Sequence, residues 1–114
     1  MSTVSIETAV RLEAAGFQQP EFAFGQLWEV PNSHEWAFVG TAQFHLMKQH
    51  FAKEIIFRPT ATDILRELPG YPPNIEWTGY SYMVNAGRIR KIDDNAAEAA
   101  AIAWLEINEK TTEQ

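Results

Sequence analysis

The sequence predicts an α+β fold in which an antiparallel sheet, built from two hairpins, carries about three helices on one face. Three observations lead to this class. Helix caps and apolar spacing predict helices near both ends of the sequence and a shorter one in its middle. Two pairs of aromatic and β-branched segments are joined by turn residues, as in β-hairpins. Because 114 residues suffice for one hydrophobic core, we expect a single domain over residues 1–109 and a flexible tail over 110–114.

The first helix is predicted over residues 6–15. Ser5 can cap this helix by accepting a hydrogen bond from an amide of the first turn. Gly16 supplies the left-handed residue that ends many helices, and Phe17 follows where a Schellman ending makes its apolar contact. The narrow stripe that would dock this helix consists of Ile6, Ala9, Val10 and Glu13.

The first hairpin is predicted from strands at residues 22–30 and 36–39, which flank a turn cluster at 31–33. A further strand is predicted over residues 54–58, where three consecutive β-prone side chains occur.

Residues 41–53 fit two patterns. The alternation of a strand is present in Ala42, Phe44 and Leu46. The spacing of a helix is present in Phe44, Met47 and Phe51. The sequence leaves both interpretations open for this segment.

A short helix is predicted after Thr60, because Thr60 and Asp63 have the spacing of a capping box. The dipeptide at residues 69–70 stops it, and a loop follows over residues 71–74.

The last helix is predicted over residues 96–108, with Asn95 and Glu98 spaced as a second capping box. Small side chains permit close approach of this helix to the sheet. The buried stripe is predicted to contain Ala97, Ala100, Ala101, Trp104 and Leu105.

The second hairpin is predicted from strands at residues 75–84 and 88–92, closed by a three-residue turn at 85–87. This turn would place Tyr82 opposite Arg90 and Tyr80 opposite Ile92, on one face of the sheet. Phenol rings beside guanidinium groups can stack on a planar group and pair with an anion. The candidate ligand-binding residues are Tyr80, Tyr82, Arg88, Arg90, Lys91 and Trp77. The alternative is that the tyrosines belong to the core and the arginines extend past them into solvent.

Other chemistry has little support in the sequence. The spacing of His45 and His50 suits neither one helical face nor one strand face, so no metal site is predicted. The pair His34 and Glu35 could act as acid and base, but adjacent His and Glu residues are common. The chain has no Cys, and its glycines are scattered singly rather than gathered in a phosphate loop. No cofactor is therefore predicted.

Charge and composition narrow the class of partner. The net charge of −6 argues against nucleic acid, because its phosphates are bound by clustered cations. No uncharged apolar run approaches membrane-spanning length and no signal peptide is visible, so we expect a cytoplasmic protein without a membrane partner. Four Trp and seven Phe exceed the needs of a small core, and self-association or a ligand pocket would use this excess.

Three stretches of the sequence carry a resemblance to known proteins: EAAGF at 13–17 with QPEF at 19–22 and GQ at 25–26, PTATDIL at 59–65, and NAAEA at 95–99 with WL at 104–105. Together they resemble small proteins of phage and prophage genomes, most of them of unassigned function. The resemblance covers about a third of the chain and carries no catalytic residue. It implies an accessory protein made inside a bacterial cell, where some such proteins counter host defences by binding a nucleotide signal or a host protein.

Three hypotheses of function follow. The first is a non-catalytic protein that binds a small anionic ligand, such as a nucleotide-derived signal, between aromatic and arginine side chains, as a homo-oligomer. The second is a protein-interaction module or inhibitor that binds a host protein through acidic and aromatic surface. The third is an enzyme that uses His34 and Glu35, which we rank last because no catalytic motif accompanies this pair.

Overall fold

The computed structural model describes residues 3–68 and 74–112. The described residues form four helices and six strands, arranged as two three-stranded antiparallel sheets. The predicted α+β class is confirmed, with two small sheets where one sheet was expected. The chain divides into two compact units. We call residues 5–58 the amino-terminal unit and the other described residues the carboxy-terminal unit.

The amino-terminal unit contains two helices and one sheet. Its elements are α1 (Ile6–Ala14), β1 (Leu27–Val30), β2 (Glu35–Phe38), α2 (Ala42–Phe51) and β3 (Ile56–Arg58). The strand order is β2-β1-β3, so the central strand β1 pairs with both neighbours. The hairpin and the third strand were predicted, although β1 begins five residues later than expected.

The two ends of α1 confirm the predicted caps. The Ser5 hydroxyl accepts a hydrogen bond of 3.2 Å from the Thr8 amide. At the other end the Phe17 amide donates to the Leu12 carbonyl at 2.8 Å, and Gly16 has a φ of +99°. This is the Schellman ending, which needs a residue that tolerates positive φ.

The docking stripe of α1 was predicted correctly at Ala9 but not at Val10 and Glu13. Ala9 and Leu12 are the buried residues, whereas Val10 and Glu13 are exposed. The buried face thus includes Leu12 and turns away from Val10 and Glu13.

The open interpretation of residues 41–53 is settled in favour of a helix. The Thr41 hydroxyl accepts a hydrogen bond from the Phe44 amide at 3.2 Å and so caps α2. Phe44 and Met47 are buried, as the helical spacing predicts, while Leu46 is exposed. The threonine cap thus starts α2, and it lies three residues after the end of β2.

An ion pair lies within the amino-terminal sheet. Glu29 on β1 is only 4% exposed, and its Oε1 accepts a hydrogen bond of 2.8 Å from Arg58 on β3. A buried carboxylate is stable only when it is paired or hydrogen-bonded. The ion pair therefore stabilises the pairing of β1 with β3, and removal of either partner alone should destabilise the fold.

The carboxy-terminal unit contains a short helix, a three-stranded sheet and a long final helix. Its elements are α3 (Ala61–Leu65), β4 (Asn74–Trp77), β5 (Tyr82–Ala86), β6 (Ile89–Asp93) and α4 (Ala96–Thr112). The predicted capping box is confirmed, since Thr60 and Asp63 exchange both hydrogen bonds. The predicted helix stop at 69–70 and residues 71–73 of the predicted loop lie outside the described residues.

The second hairpin differs from its prediction in turn length and in register. Residues 75–84 form parts of two strands, so the sheet is a meander with the order β4-β5-β6. The turn between β5 and β6 consists of Gly87 and Arg88, because Ala86 pairs with Ile89. Gly87 has a φ of +63°, as the first position of a type II′ turn requires, and this turn suits the natural twist of paired strands. The predicted three-residue turn is wrong.

The predicted stripe of α4 is confirmed, because all five of its residues are buried. Asn95 caps the helix by accepting from the Glu98 amide at 3.1 Å. The Asn95 amide donates to Asp93 at 2.9 Å, so Asp93 takes the place that the predicted box gave to Glu98. The helix continues to Thr112, four residues past its predicted end. Residues 113 and 114 of the predicted flexible tail lie outside the described residues.

Within residues 3–68 and 74–112, no helix is both long and apolar enough to cross a bilayer.

Replacement of Arg58 by Met should lower the free energy of unfolding by about 3 kcal/mol, because the buried Glu29 carboxyl group would lose its partner. Urea denaturation measures this loss. The double variant Glu29→Met with Arg58→Met is the control and should recover much of the stability. An Arg58→Met chain as stable as the unmodified chain would contradict a structural role for the pair.

Candidate functional site

The structure brings two of the residues that were predicted to bind a ligand into contact and separates the others from them. The Tyr82 ring lies against Trp77, its cross-strand partner, with 4.8 Å between ring centroids. Tyr80 is 91% exposed in the connection between β4 and β5. Arg88 is exposed in the two-residue turn.

The predicted pairing of Tyr82 with Arg90 is wrong. Tyr82 pairs with Asp93, and Arg90 pairs with Asn85. The register differs from the predicted one by three residues, and an odd shift moves a side chain to the other face of the sheet. The phenol of Tyr82 and the guanidinium of Arg90 therefore lie on opposite faces.

Lys91, another predicted ligand residue, is joined to the long helix. Its Nζ lies 2.6 Å from Oε2 of Glu106 on α4, and both side chains are about one-third exposed. The same face of the sheet carries the buried Val84 and Ala86, so this is the face that packs against α4. Lys91 accordingly has a structural partner.

The histidines occupy exposed positions. His34 ends the turn between β1 and β2 with a φ of +59°, and Glu35 follows as the first residue of β2. His45 and His50 are exposed on α2. In the part of the chain that the structure describes, no group of three or more His, Asp or Glu residues could hold a metal ion.

Two aromatic rings on β2 form the most distinctive exposed feature of the amino-terminal unit. Trp36 is 51% exposed and Phe38 is 44% exposed. Their rings meet edge to face with 6.1 Å between centroids. We call these two residues the aromatic edge, since β2 is an edge strand.

The alternation of a β-strand explains why both rings point outward. Ala37 lies between them, is 3% exposed and pairs with Trp28, whose ring is part of the core. Trp36 and Phe38 necessarily point to the other face of the sheet. The small residue therefore faces inward and the two large ones face outward, which reverses the usual arrangement.

Hydrogen bonds from the start of α2 fix the outer side of β2. Gln43 Nε2 donates to the Trp36 carbonyl at 3.2 Å, and the Thr41 hydroxyl donates to the Phe38 carbonyl at 2.8 Å. These side chains already occupy the outward carbonyls of β2, which disfavours pairing of an added strand with this edge. Contacts with another molecule would thus use the rings.

A groove lies beside α2. It has a volume of about 680 Å³ and is lined by Glu35, Gln43, Leu46, Met47, His50 and Phe51. Leu46 is 60% exposed there. The groove thus adds apolar surface to the same unit.

The excess of aromatic residues is visible in the sequence, but the aromatic edge was not predicted from it. The motif Trp36-Ala37-Phe38 contains the necessary pattern, because one small residue between two large ones in a strand separates two faces. Asn85 was predicted to lie in a turn, whereas it lies within β5.

Neither a protein-family model nor a curated protein nor a solved structure gives a significant match to this chain. Its function is therefore inferred from its own residues and their geometry.

Lys91→Gln should lower the free energy of unfolding by about 1 kcal/mol, because it removes a partly screened contact between β6 and α4. Arg88→Gln removes an equal charge from the exposed turn and should leave stability within about 0.5 kcal/mol. Urea denaturation of the two variants at low salt gives the comparison. Equal losses would contradict the separate structural role of Lys91.

Proposed function

We propose that this chain is a non-catalytic interaction module that binds a partner protein through the aromatic edge, Trp36 and Phe38. The observation that carries this proposal is the exposure of two touching rings on a strand whose backbone is held by α2. Rigid aromatic side chains give a large contact area at a low cost in conformational entropy.

Burial of these rings can offset much of the cost of association, and the contacts around them must supply the rest of the binding energy. Covering the exposed half of one ring removes about 100 Å² of surface from water, so the two rings together lose about 200 Å². At about 25 cal/mol per Å², the pair contributes about 5 kcal/mol before the costs of association. Trp is also enriched among residues that dominate binding energy. The aromatic edge can therefore act as the centre of an interface.

A protein partner is favoured over the small anionic ligand of the first hypothesis. That hypothesis depended on phenol and guanidinium groups on one face, and the observed register separates Tyr82 from Arg90. The aromatic edge, in contrast, lies on an open strand where a broad surface can approach. The net charge of −6 further favours a partner with basic surface.

The resemblance to phage and prophage proteins supports a host protein as the partner, met in the bacterial cytoplasm. A counter-defence role follows from the same resemblance. An exposed aromatic pair also suits a second copy of this chain as the partner. Measurement of the oligomeric state distinguishes a second copy from a host protein.

Replacement of both Trp36 and Phe38 by Ala should abolish capture of the partner protein from bacterial lysate. Each ring is already half exposed, so the variant should stay folded and keep a cooperative thermal transition. Trp77→Ala is the matched control, because Trp77 is 60% exposed but belongs to the other unit. Affinity capture followed by mass spectrometry identifies the partner.

Capture that survives loss of the aromatic edge, or that Trp77→Ala removes equally, would refute the assignment of the surface. Loss of dimers rather than of a foreign protein, measured by analytical ultracentrifugation, would identify a second copy as the partner instead.

A further inference from the structure

We infer that the outer face of the carboxy-terminal sheet binds a partner polypeptide segment in which a carboxylate adjoins an apolar side chain. By outer face we mean the residues that point away from α4: Asn74, Glu76, Met83, Asn85, Arg90 and Ile92. This inference concerns a different unit and a different ligand chemistry from the aromatic edge, so it goes beyond the proposed function.

A chain of side-chain hydrogen bonds crosses all three strands on this face. Asn85 Nδ2 donates to Oδ1 of Asn74 at 3.0 Å. Arg90 Nε in turn donates to Oδ1 of Asn85 at 3.0 Å. Since Asn85 both donates and accepts, the two bonds fix which end of its amide faces Arg90.

This arrangement prepares Arg90 for a planar anion. The bond through Nε holds the plane of the guanidinium, and the remaining four N–H donors lie on its two terminal nitrogens. Two terminal nitrogens match the two oxygens of a carboxylate in a fork. Because Asn85 already orders the side chain, less conformational freedom is lost on binding.

An apolar surface lies next to Arg90. Ile92 follows two residues later on the same face and is 58% exposed, and Met83 is its cross-strand partner. Two residues of a strand span about 6.6 Å, so an apolar side chain beside a bound carboxylate would reach this pair. The ligand chemistry is therefore a carboxylate with a neighbouring apolar group.

Charges on the sheet give the ligand a direction. Glu76 lies in the same row as Met83 and Ile92, at the end on β4, where it repels a carboxylate. Arg88 in the adjoining turn adds positive charge near Arg90. Lys91 points to the opposite face and pairs with Glu106. The carboxylate should therefore bind at Arg90, on the β6 edge. The apolar group of the ligand should lie over Ile92 and Met83, towards β5.

The open shape of this face favours a polypeptide as the source of the carboxylate. Sites for free small molecules are concave and enclose most of the ligand. Here Asn74, Glu76 and Arg90 are all exposed on a sheet face. A polypeptide can cover such a face with several residues at once.

The test is a titration with N-acetyl-leucyl-leucine, which has a free terminal carboxylate, followed in ¹H–¹⁵N NMR spectra of the full chain. We expect saturable shifts at Met83, Asn85 and Ile92 and at Nε–H of Arg90. The matching C-terminal amide should bind at least tenfold more weakly, and so should acetate, which has the carboxylate without the leucines. This comparison uses the unmodified chain and does not depend on the folding of any variant.

Arg90→Lys keeps the charge but loses the fork, and it should weaken binding of N-acetyl-leucyl-leucine at least tenfold. Arg66→Lys makes the same change at an exposed position of the same unit and should leave binding unchanged. Equal binding of acid and amide, unchanged binding by Arg90→Lys, or shifts that map elsewhere would overturn the inference. Acetate that binds as tightly as the peptide would overturn the polypeptide source.

Discussion

The two-residue period of a β-strand is the constraint on which the rest of this structure depends. Each residue of a strand points to the face opposite its neighbours, and the register with adjacent strands decides which residues share that face. In the carboxy-terminal unit, α4 packs on the face that carries Val84, Ala86 and Lys91. Within each strand, the residues that alternate with these must then lie on the outer face.

This constraint links the core to both proposed surfaces. Ala37 faces the core of the amino-terminal unit, so Trp36 and Phe38 point away from it. Val84 faces α4, so its neighbour Asn85 lies outside and meets Arg90. A register shift by one residue would bury the polar side chains and expose the apolar ones, which makes the functional surfaces inseparable from the packing.

The sequence predicted best those features that depend on local chemistry. Ser5, Thr60 and Asn95 cap helices because a side-chain oxygen satisfies an amide a few residues away, whatever the rest of the chain does. The stripe of α4 was predicted for the same reason, since its periodicity lies within one segment. In residues 41–53 the two periods coexist, and only the cap at Thr41 together with docking of Phe44 selects the helix.

The candidate site was harder to predict, because it depends on a register that two turns could have set. A three-residue turn at 85–87 and the observed two-residue turn both place Gly87 at a position with positive φ. The choice between them changes the pairing by an odd number of residues. It therefore decides whether Tyr82 and Arg90 lie on the same face or on opposite faces of the sheet. Pairing energies summed along the whole hairpin and against α4 decide this, and they are not local.

Disulfide trapping tests the register most directly, because the natural chain contains no Cys. A chain with Met83→Cys and Ile92→Cys places two thiols on directly opposite residues of one face, within the reach of a disulfide. A chain with Met83→Cys and Ile89→Cys places them on opposite faces. The observed register predicts rapid oxidation to an intramolecular disulfide in the first variant and none in the second. The reverse result would contradict the assignment of faces on which both the core and the Arg90 surface depend.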